Sequence, residues 1–298
     1  MIESMKSTDA SNPRRGTDKR LKLLLLTSGE RSELSAQVER LVPLVEPLAD
    51  LLVRDLSLGE DLSTLDFDLA VVVGGDGSML RAAHQMGRHQ RPMLGVNLGK
   101  LGFLADLSPD EFIAQLPTIC AGGLATEDHL MYECSVIRGG RPVHEWLGLN
   151  EVAVLAGPPF AILDVDLYVD SELVTTYSCD GLIISTPIGS TAHNLSSGGP
   201  ILRQDLQAFV ISPISPHTLT NRPVVDSADR VYELVIASPH VGTTIVADGR
   251  VVCKVEPGDL VRVERSDARF HLVSLPGHSY YRTLREKLGW GGRLNVKT

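Results

Sequence analysis

A glycine-rich turn is the first feature of this sequence whose residue types suggest chemistry. The apolar run Leu69–Val73 leads into Gly74-Gly75-Asp76-Gly77-Ser78, and helix-like sequence follows as far as Met86. Glycines let the backbone approach an anion closely and direct N–H groups at it, and a helix start adds partial positive charge. An aspartate is unfavourable beside phosphates unless it accepts a proton from an attacking hydroxyl or helps to hold Mg²⁺. The turn therefore predicts a phosphate loop formed by Gly74, Gly75, Gly77 and Ser78, with Asp76 as its reactive carboxylate.

A β-hairpin is the alternative interpretation, because Asp-Gly is common in hairpin turns. The residues after Ser78 do not alternate as a returning strand should, which favours the helix. A second glycine-bearing turn, Asn97–Leu104, follows the next predicted strand, Met93–Val96. Because parallel strands end at one edge of a sheet, both turns are expected to open on the same edge. Taken alone, the second turn is better explained as a tight strand-to-helix connection.

Two polar segments in the second half suggest contacts with a ligand. Asn150 and Glu151 precede an apolar run, and each side chain could bind one of two neighbouring hydroxyls, as on a ribose. A solvated turn explains that pair better if it is taken alone. The segment Asp180–Pro200 ends an apolar strand in a long string of small hydroxyl residues and glycines. That composition suits close packing of backbone and hydroxyls against a polar ligand.

The elements that must position these residues form two halves of different type. Up to about Leu124, short apolar runs alternate with helical stretches, which is typical of strand–helix units around a parallel sheet. Ser108, with Pro109 and Glu111, predicts a helix start. After that point apolar and polar residues alternate, as in Leu163–Val169, which indicates strands with one face exposed to solvent. Predicted strands are Leu21–Leu26, Leu69–Val73 and Met93–Val96 in the first half, and Thr243–Ala247, Val251–Val255 and Leu260–Glu264 in the second.

This pattern predicts an α/β plus all-β fold in two domains. The α/β nucleotide-binding domain is expected over residues 20–124 and the β-rich domain over residues 125–276. The closing segment, residues 277–298, is helical at Ser279–Leu288 and is expected to pack back on the first domain. Residues 1–19 carry almost nothing apolar to bury and are expected to be a disordered leader.

Composition narrows the possible partners. The chain has 298 residues, with 28 Lys plus Arg against 37 Asp plus Glu, a net charge of −9. That balance disfavours nucleic acid or an anionic membrane as the main partner. The cysteines (Cys120, Cys134, Cys179 and Cys253) are scattered singly, which is typical of a reducing, cytoplasmic setting. The histidines show no metal-ligand spacing, so no metal held by the protein alone is expected.

Taken together and in order, these segments resemble the NAD kinase family. The matching motifs are Gly74-Gly75-Asp76-Gly77, Asn97–Phe103, Asn150-Glu151, Asp180–Pro200 and Ser215–Pro223. The glycine-aspartate loop alone is less specific, because diacylglycerol and sphingosine kinases and phosphofructokinases carry similar loops. The resemblance implies a Rossmann-like N-terminal domain, a C-terminal β-sandwich-like domain, and a homodimer or homotetramer with sites near subunit contacts.

The resemblance also implies roles for individual residues. Asp76 would activate the 2′-hydroxyl of the adenosine ribose of NAD, and Asn150 and Glu151 would hold the dinucleotide ribose. Three positions depart from the family pattern: Ile188 stands where Thr or Ser is common, His193 where Tyr is usual, and Arg250 where a Gln often contacts NAD. A charged His193 or Arg250 could add a contact to NAD. The implied NAD-binding residues are Asp76, Gly77, Leu80, Phe103, Asn150, Glu151, Asp180, Ile188, Thr191, Ala192, His193, Asn194, Leu195, Ser196 and Arg250.

The sequence therefore predicts an NAD kinase that converts ATP and NAD to ADP and NADP, with Mg²⁺ supplied along with the nucleotide. No nucleic acid or membrane partner is expected. Two alternatives remain: a lipid kinase of the diacylglycerol or sphingosine type, and a non-catalytic NAD(H)-binding sensor. The net charge and the Asn150-Glu151 and Asp180–Pro200 segments count against the lipid kinase. The intact Asp76 counts against the sensor.

Overall fold

The computed structural model describes most of the chain. The described ranges are residues 20–27, 32–99, 101–122, 124–158, 162–218, 221–275 and 277–290. The predicted leader at residues 1–19 and the end of the closing segment, residues 291–298, lie outside them. Within these ranges, no helix is both long and apolar enough to cross a membrane.

The first half of the chain forms a parallel sheet with helices between its strands. Its strands follow the order β2-β1-β3-β4 and pair in parallel throughout. The predicted strands Leu69–Val73 and Met93–Val96 are confirmed. The predicted strand Leu21–Leu26 lies one residue later, at Lys22–Thr27. The elements are β1 (Lys22–Thr27), α1 (Ser32–Val45), β2 (Asp50–Asp55), β3 (Leu69–Val73), α2 (Asp76–Met86), β4 (Met93–Val96) and α3 (Pro109–Cys120), with short 3-10 turns at Leu56–Leu58 and Leu62–Thr64.

Helices cover both faces of this sheet, which explains why its inner strands β1, β3 and β4 are apolar without alternation. In β1, Leu23 and Leu25 pack with α1 and α3, whereas Leu24 and Leu26 pack with α2 on the other face. The predicted start of α3 is confirmed, because the Ser108 hydroxyl caps Glu111 N and the Glu111 carboxylate accepts from Ser108 N.

The second half is antiparallel and forms a two-sheet sandwich. One sheet has six strands in the order β12-β11-β10-β7-β14-β15, and its inner face packs on strands of the larger sheet through a shared apolar core. The predicted α/β plus all-β fold is confirmed. The elements are β5 (Ala125–Arg138), β6 (Arg141–Gly148), β7 (Glu151–Leu155), β8 (Leu163–Val169), β9 (Glu172–Cys179), β10 (Gly181–Ser185), α4 (His193–Ser196), β11 (Ala208–Ile214), β12 (Val224–Ser227), β13 (Tyr232–Val235), β14 (Thr244–Ala247), β15 (Arg250–Lys254), β16 (Leu260–Ser274) and α5 (Tyr280–Leu288), with a 3-10 turn at Gly189–Thr191.

The long strand β16 joins the two halves. It pairs with β5 and β13 in antiparallel fashion, and its Leu272 pairs in parallel with Met93 of β4. The result is one ten-stranded sheet that runs from the parallel half into the sandwich. β16 is longer than the predicted Leu260–Glu264, because the chain after Glu264 continues to pair with β5 beyond a register shift between Arg265 and Arg269.

Candidate active site

The glycine-rich turn lies between the buried strand β3 and the first residue of α2. Gly75 stands at the N-cap and no side chain caps this helix, so its first N–H groups are free to meet a ligand. Gly74 must be glycine for a steric reason, since a Cβ there would lie 2.4 Å from Ser78 Oγ. The hairpin alternative for Asp76-Gly77 is wrong, because both residues begin a helix.

The carboxylate of Asp76 joins the two glycine-bearing turns. Its Oδ2 accepts a hydrogen bond from Phe103 N at 2.9 Å, and its Oδ1 accepts from Leu104 N at 2.9 Å and Ala105 N at 3.2 Å. A Cβ at Gly102 would lie 2.2 Å from Asp76 Oδ1, so this approach requires glycine. The two turns therefore meet at one edge of the parallel sheet, as the geometry of β3 and β4 dictates.

A second carboxylate, Asp248, organises the start of β7. Its side chain is fully buried in the turn between β14 and β15. Its oxygens accept hydrogen bonds from the N–H groups of Leu149 and Asn150 at 2.8 Å and of Glu151 at 3.0 Å. His84 Nε2 of α2 lies 2.7 Å from Asp248 Oδ2. Asp248 thus fixes the backbone that presents the Asn150-Glu151 pair and ties it to α2.

Sequence reasoning missed this role of Asp248. Asp248 and Gly249 form the turn between β14 and β15, with φ of 46° at Asp248 and 75° at Gly249. The side-chain role depends on residues that are 97 to 99 positions away along the chain. The signal that could have found it is an aspartate, rather than an asparagine, at a hairpin turn.

Glu151 is a buried carboxyl group whose pKa is raised well above its ordinary value. It is 6% exposed, and its Oε2 has no hydrogen-bond partner among the described residues. Burial and, to a smaller extent, the nearby negative charge of Asp248 raise the pKa of Glu151 to about 8, although a hydrogen bond from the His193 backbone opposes the shift. Glu151 is therefore mainly protonated at neutral pH and can donate a hydrogen bond.

The turn after β10 packs directly on the backbone of Asn150. Thr186 N donates to Asn150 O at 2.8 Å, and Thr186 Oγ1 donates to Leu149 O at 2.5 Å. A Cβ at Gly189 would lie 2.1 Å from Asn150 O, which explains the glycine. These contacts bring the small-residue turn to the Asn150-Glu151 pair.

Asn194 is part of the framework of this turn. Its side chain is fully buried. Its Nδ2 donates to Ser190 O at 3.1 Å and Pro200 O at 3.0 Å, and its Oδ1 accepts from Ser212 Oγ at 2.6 Å. Every oxygen and nitrogen of the amide is therefore engaged within the protein. Asn194 shapes the turn in which its neighbours Thr191, Ala192, His193, Leu195 and Ser196 lie partly or largely exposed.

An apolar cluster connects the glycine loop with the second half of the site. Ile188 is 3% exposed and belongs to the same cluster as Met79, Leu104 and Leu149, with Leu80 packed against it. The aliphatic side chain of Ile188 is thus used in packing. The cluster holds α2 and the turn after β10 together, and with them Asp76 and Glu151.

Two of the predicted residues lie apart from this arrangement. Asp180 precedes β10, whereas Glu151 and the turn adjoin the other end of that five-residue strand, about 15 Å away. Its exposed carboxylate lies 3.3 Å from His217 Nε2. Arg250 is exposed beside His84 and Trp146, near the end of α2 that is distant from Asp76.

This fold and this arrangement of loop, carboxylate and polar pair are those of a nucleotide phosphotransferase. Residues 18–124 match the family described as ATP-NAD kinase N-terminal domain, and residues 149–275 match ATP-NAD kinase C-terminal domain. The chain belongs to the NAD kinase family. An NAD kinase of Rhodopirellula baltica is 51% identical over 93% of this chain and 89% of its own length. An NAD kinase of Alcanivorax borkumensis is 40% identical over 76% of this chain and 75% of its own length.

Solved structures agree on the fold. Yeast NADH kinase complexed with NADH superposes with a TM-score of 0.83 at 21% identity, covering 94% of this chain and 91% of the yeast chain. An NAD kinase from Archaeoglobus fulgidus in complex with ATP superposes with a TM-score of 0.72 at 28% identity, covering 90% of this chain and 98% of its own. The predicted family membership and phosphotransferase activity are confirmed by these comparisons.

Proposed function

We propose that this protein transfers the terminal phosphoryl group of ATP to the 2′-hydroxyl of the adenosine ribose of NAD, and that Asp76 accepts the hydroxyl proton. The hydroxyl oxygen forms a bond to the γ-phosphorus. The bond from that phosphorus to the bridging oxygen breaks, and its electron pair leaves with ADP. The proton passes to the Asp76 carboxylate.

The geometry of Asp76 carries this proposal. Each carboxylate oxygen offers about two acceptor sites, and backbone N–H groups use two on Oδ1 but one on Oδ2. Oδ2 therefore keeps an acceptor site at the mouth of the glycine loop. In this proposal, Gly74, Gly75, Gly77 and Ser78 surround the phosphates.

The remaining contacts to NAD are proposed from the packing around Glu151. The protonated Glu151 donates to a ribose oxygen, and Asn150 binds the neighbouring hydroxyl. Leu80 and Phe103 line the adenine side. The partly exposed residues of the turn after β10 complete the pocket: Thr191, Ala192, His193, Leu195 and Ser196.

Mg²⁺ is proposed to arrive with the nucleotide. Magnesium commonly binds substrate phosphates and waters with one or two protein carboxylates. The glycine loop offers one carboxylate, Asp76, which fits that pattern. When bound, the ion neutralises phosphate charge, while the loop N–H groups orient the donor.

We also propose a homodimer or homotetramer in which Asp180 and Arg250 serve a neighbouring copy. Both side chains are exposed and lie apart from Asp76 in their own chain. A cytoplasmic role in NADP biosynthesis fits the family, and Cys134 and Cys179 are buried free thiols. Light scattering of the purified protein tests the assembly, and a monomer that retains full activity would refute it.

A coupled assay for NADP tests the proposed reaction. ATP, another nucleoside triphosphate and inorganic polyphosphate are each offered as donor with NAD or NADH as acceptor. We expect NADP to form from ATP and NAD. Tight NAD binding without turnover on any donor would instead identify a non-catalytic sensor.

A further inference from the structure

The C-terminal helix α5 brings a lysine to the carboxylate of the glycine loop. Lys287 Nζ lies 3.7 Å from Asp76 Oδ2 and 4.6 Å from the centroid of the Phe103 ring. About 30% of each side chain in this ion pair is exposed, so solvent and ligands can reach it. Lys287 therefore stands at the one oxygen of Asp76 that keeps an acceptor site.

Helix α5 is held in a defined position by contacts on several sides. Ser279 caps its start, and Thr283 and Leu284 are buried beneath it. Tyr280 Oη donates to Leu202 O at 2.7 Å, and His278 Nδ1 lies 3.0 Å from Asp106 Oδ2. The position of Lys287 thus follows from docking of the whole helix.

The other cations of α5 have different surroundings. Arg282 pairs with Glu286 on the same helix at 2.9 Å, and Arg285 is exposed. Among the ion pairs of the described ranges, the one that reaches the glycine loop is made by Lys287. In a chain with net charge −9, a local cation is needed to attract a polyanionic donor.

We propose that Lys287 is a donor-binding catalytic residue that exchanges its partner when ATP binds. Before binding it pairs with Asp76, and on binding its ammonium group turns to the β- and γ-phosphates. The flexible four-carbon stem allows this movement without a shift of the helix. Asp76 Oδ2 is thereby released to accept the hydroxyl proton.

The inference rests on the proposed function and adds a residue to it. Lys287 takes no part in the proton transfer, and its charge stabilises the electrons that accumulate on the bridging oxygen as the bond to the γ-phosphorus breaks. The alternative is a purely structural tie between α5 and the loop. If Lys287 binds the donor, removing its charge weakens the binding of ATP alone. If Lys287 is only a structural tie, its removal affects ATP and NAD equally.

The test compares Lys287→Met, which removes the charge, with Lys287→Arg, which keeps it, and with the matched control Arg285→Met on the same helix. KM for ATP and for NAD, kcat and the melting temperature are measured for each. Calorimetry with ATP and Mg²⁺ in the absence of NAD adds a readout of donor binding without turnover.

For Lys287→Met we expect a rise of about 10- to 100-fold in KM for ATP and in the Kd of the calorimetric titration, as for loss of a charge-assisted contact. KM for NAD should change by no more than about twofold, Lys287→Arg should recover most of the loss, and Arg285→Met should behave as wild type. Unchanged ATP affinity in Lys287→Met, or equal losses for both substrates, would overturn the inference. If Lys287→Met folds poorly, Lys287→Gln replaces it. NADP formation by the wild type tests the proposed function separately.

Discussion

Asp76 and Glu151 are two carboxyl groups in opposite surroundings. Asp76 is about one-third exposed and accepts three backbone hydrogen bonds. Glu151 is buried, and its raised pKa of about 8 keeps it protonated near neutral pH. Groups with such different environments suit different tasks, here a proton acceptor and a hydrogen-bond donor to ribose.

Glu151→Gln tests the charge state of Glu151 through stability. The pKa of Glu151 rises from its ordinary value near 4.5 to about 8 on folding, so the folded protein binds more protons than the unfolded chain in that interval. The wild type should therefore lose stability as pH rises from about 4.5 to 8, whereas glutamine has no charge to bury. We expect the free energy of unfolding of Glu151→Gln, relative to wild type, to increase by a few kcal/mol across this interval. Chemical denaturation at pH 5 and pH 8 checks this, and a pH-independent difference would refute a buried neutral Glu151.

Residue types in the sequence were sufficient to nominate Asp76, whereas the Asn150-Glu151 pair was nominated only together with the family resemblance, because a solvated turn explains the pair better when it is taken alone. They could not reveal the positioning role of Asp248, because that role depends on N–H groups that are almost 100 positions away along the chain and come close only in the folded sheet. The role of Lys287 could not be predicted for the same reason, since its partner Asp76 lies more than 200 positions earlier in the chain.

At the scale of elements, the start of β7 depends on the β14–β15 turn. Asp248→Ala would leave the N–H groups of Leu149, Asn150 and Glu151 without their acceptor. We expect a loss of about 3 kcal/mol in unfolding free energy and a larger rise in KM for NAD than for ATP, because the ribose-binding pair loses its support.

The matched control for that variant is Asp61→Ala. Asp61 also accepts a backbone N–H, from Ser63 at 2.9 Å, but it lies in an exposed 3-10 turn. We expect Asp61→Ala to change the unfolding free energy much less than Asp248→Ala does and to leave both KM values unchanged. Equal changes in the two KM values for Asp248→Ala would contradict a positioning role.

Local sequence patterns predicted most elements, but they failed where pairing with a distant strand sets the length of an element. The capping box at Ser108 and the alternation in Leu163–Val169 are local signals, and both elements form as predicted. The length of β16 is not local, because its polar half is extended by pairing with β5 across a register shift.

At the scale of the whole molecule, β16 makes the two halves mutually dependent. It pairs with β4 of the parallel half and with β5 and β13 of the sandwich, and an apolar cluster spans α2 and Phe270. The division at residues 124 and 125 stays a prediction, since the ten-stranded sheet continues across it.

We expect this continuity to give a single unfolding transition. Neither half can unfold without exposing a strand edge and part of the shared cluster of the other. Differential scanning calorimetry of the full chain should show one transition, which saturating NAD shifts to higher temperature. Two resolved transitions, with only one shifted by NAD, would show that the halves are independent.

Turnover by Asp76→Asn is the most direct test of the central claim, that Asp76 accepts the proton in phosphoryl transfer from ATP to NAD. Asparagine keeps the size of the side chain and one acceptor oxygen but cannot take the proton, so kcat should fall by roughly 10² to 10⁴. NAD affinity by calorimetry should stay near that of wild type, because other residues bind the ribose and base. The control Asp110→Asn removes an exposed carboxylate paired with Arg40 and should leave kcat unchanged. A kcat for Asp76→Asn close to that of wild type would contradict the assignment and leave Asp76 as a clamp for the backbone of Phe103, Leu104 and Ala105.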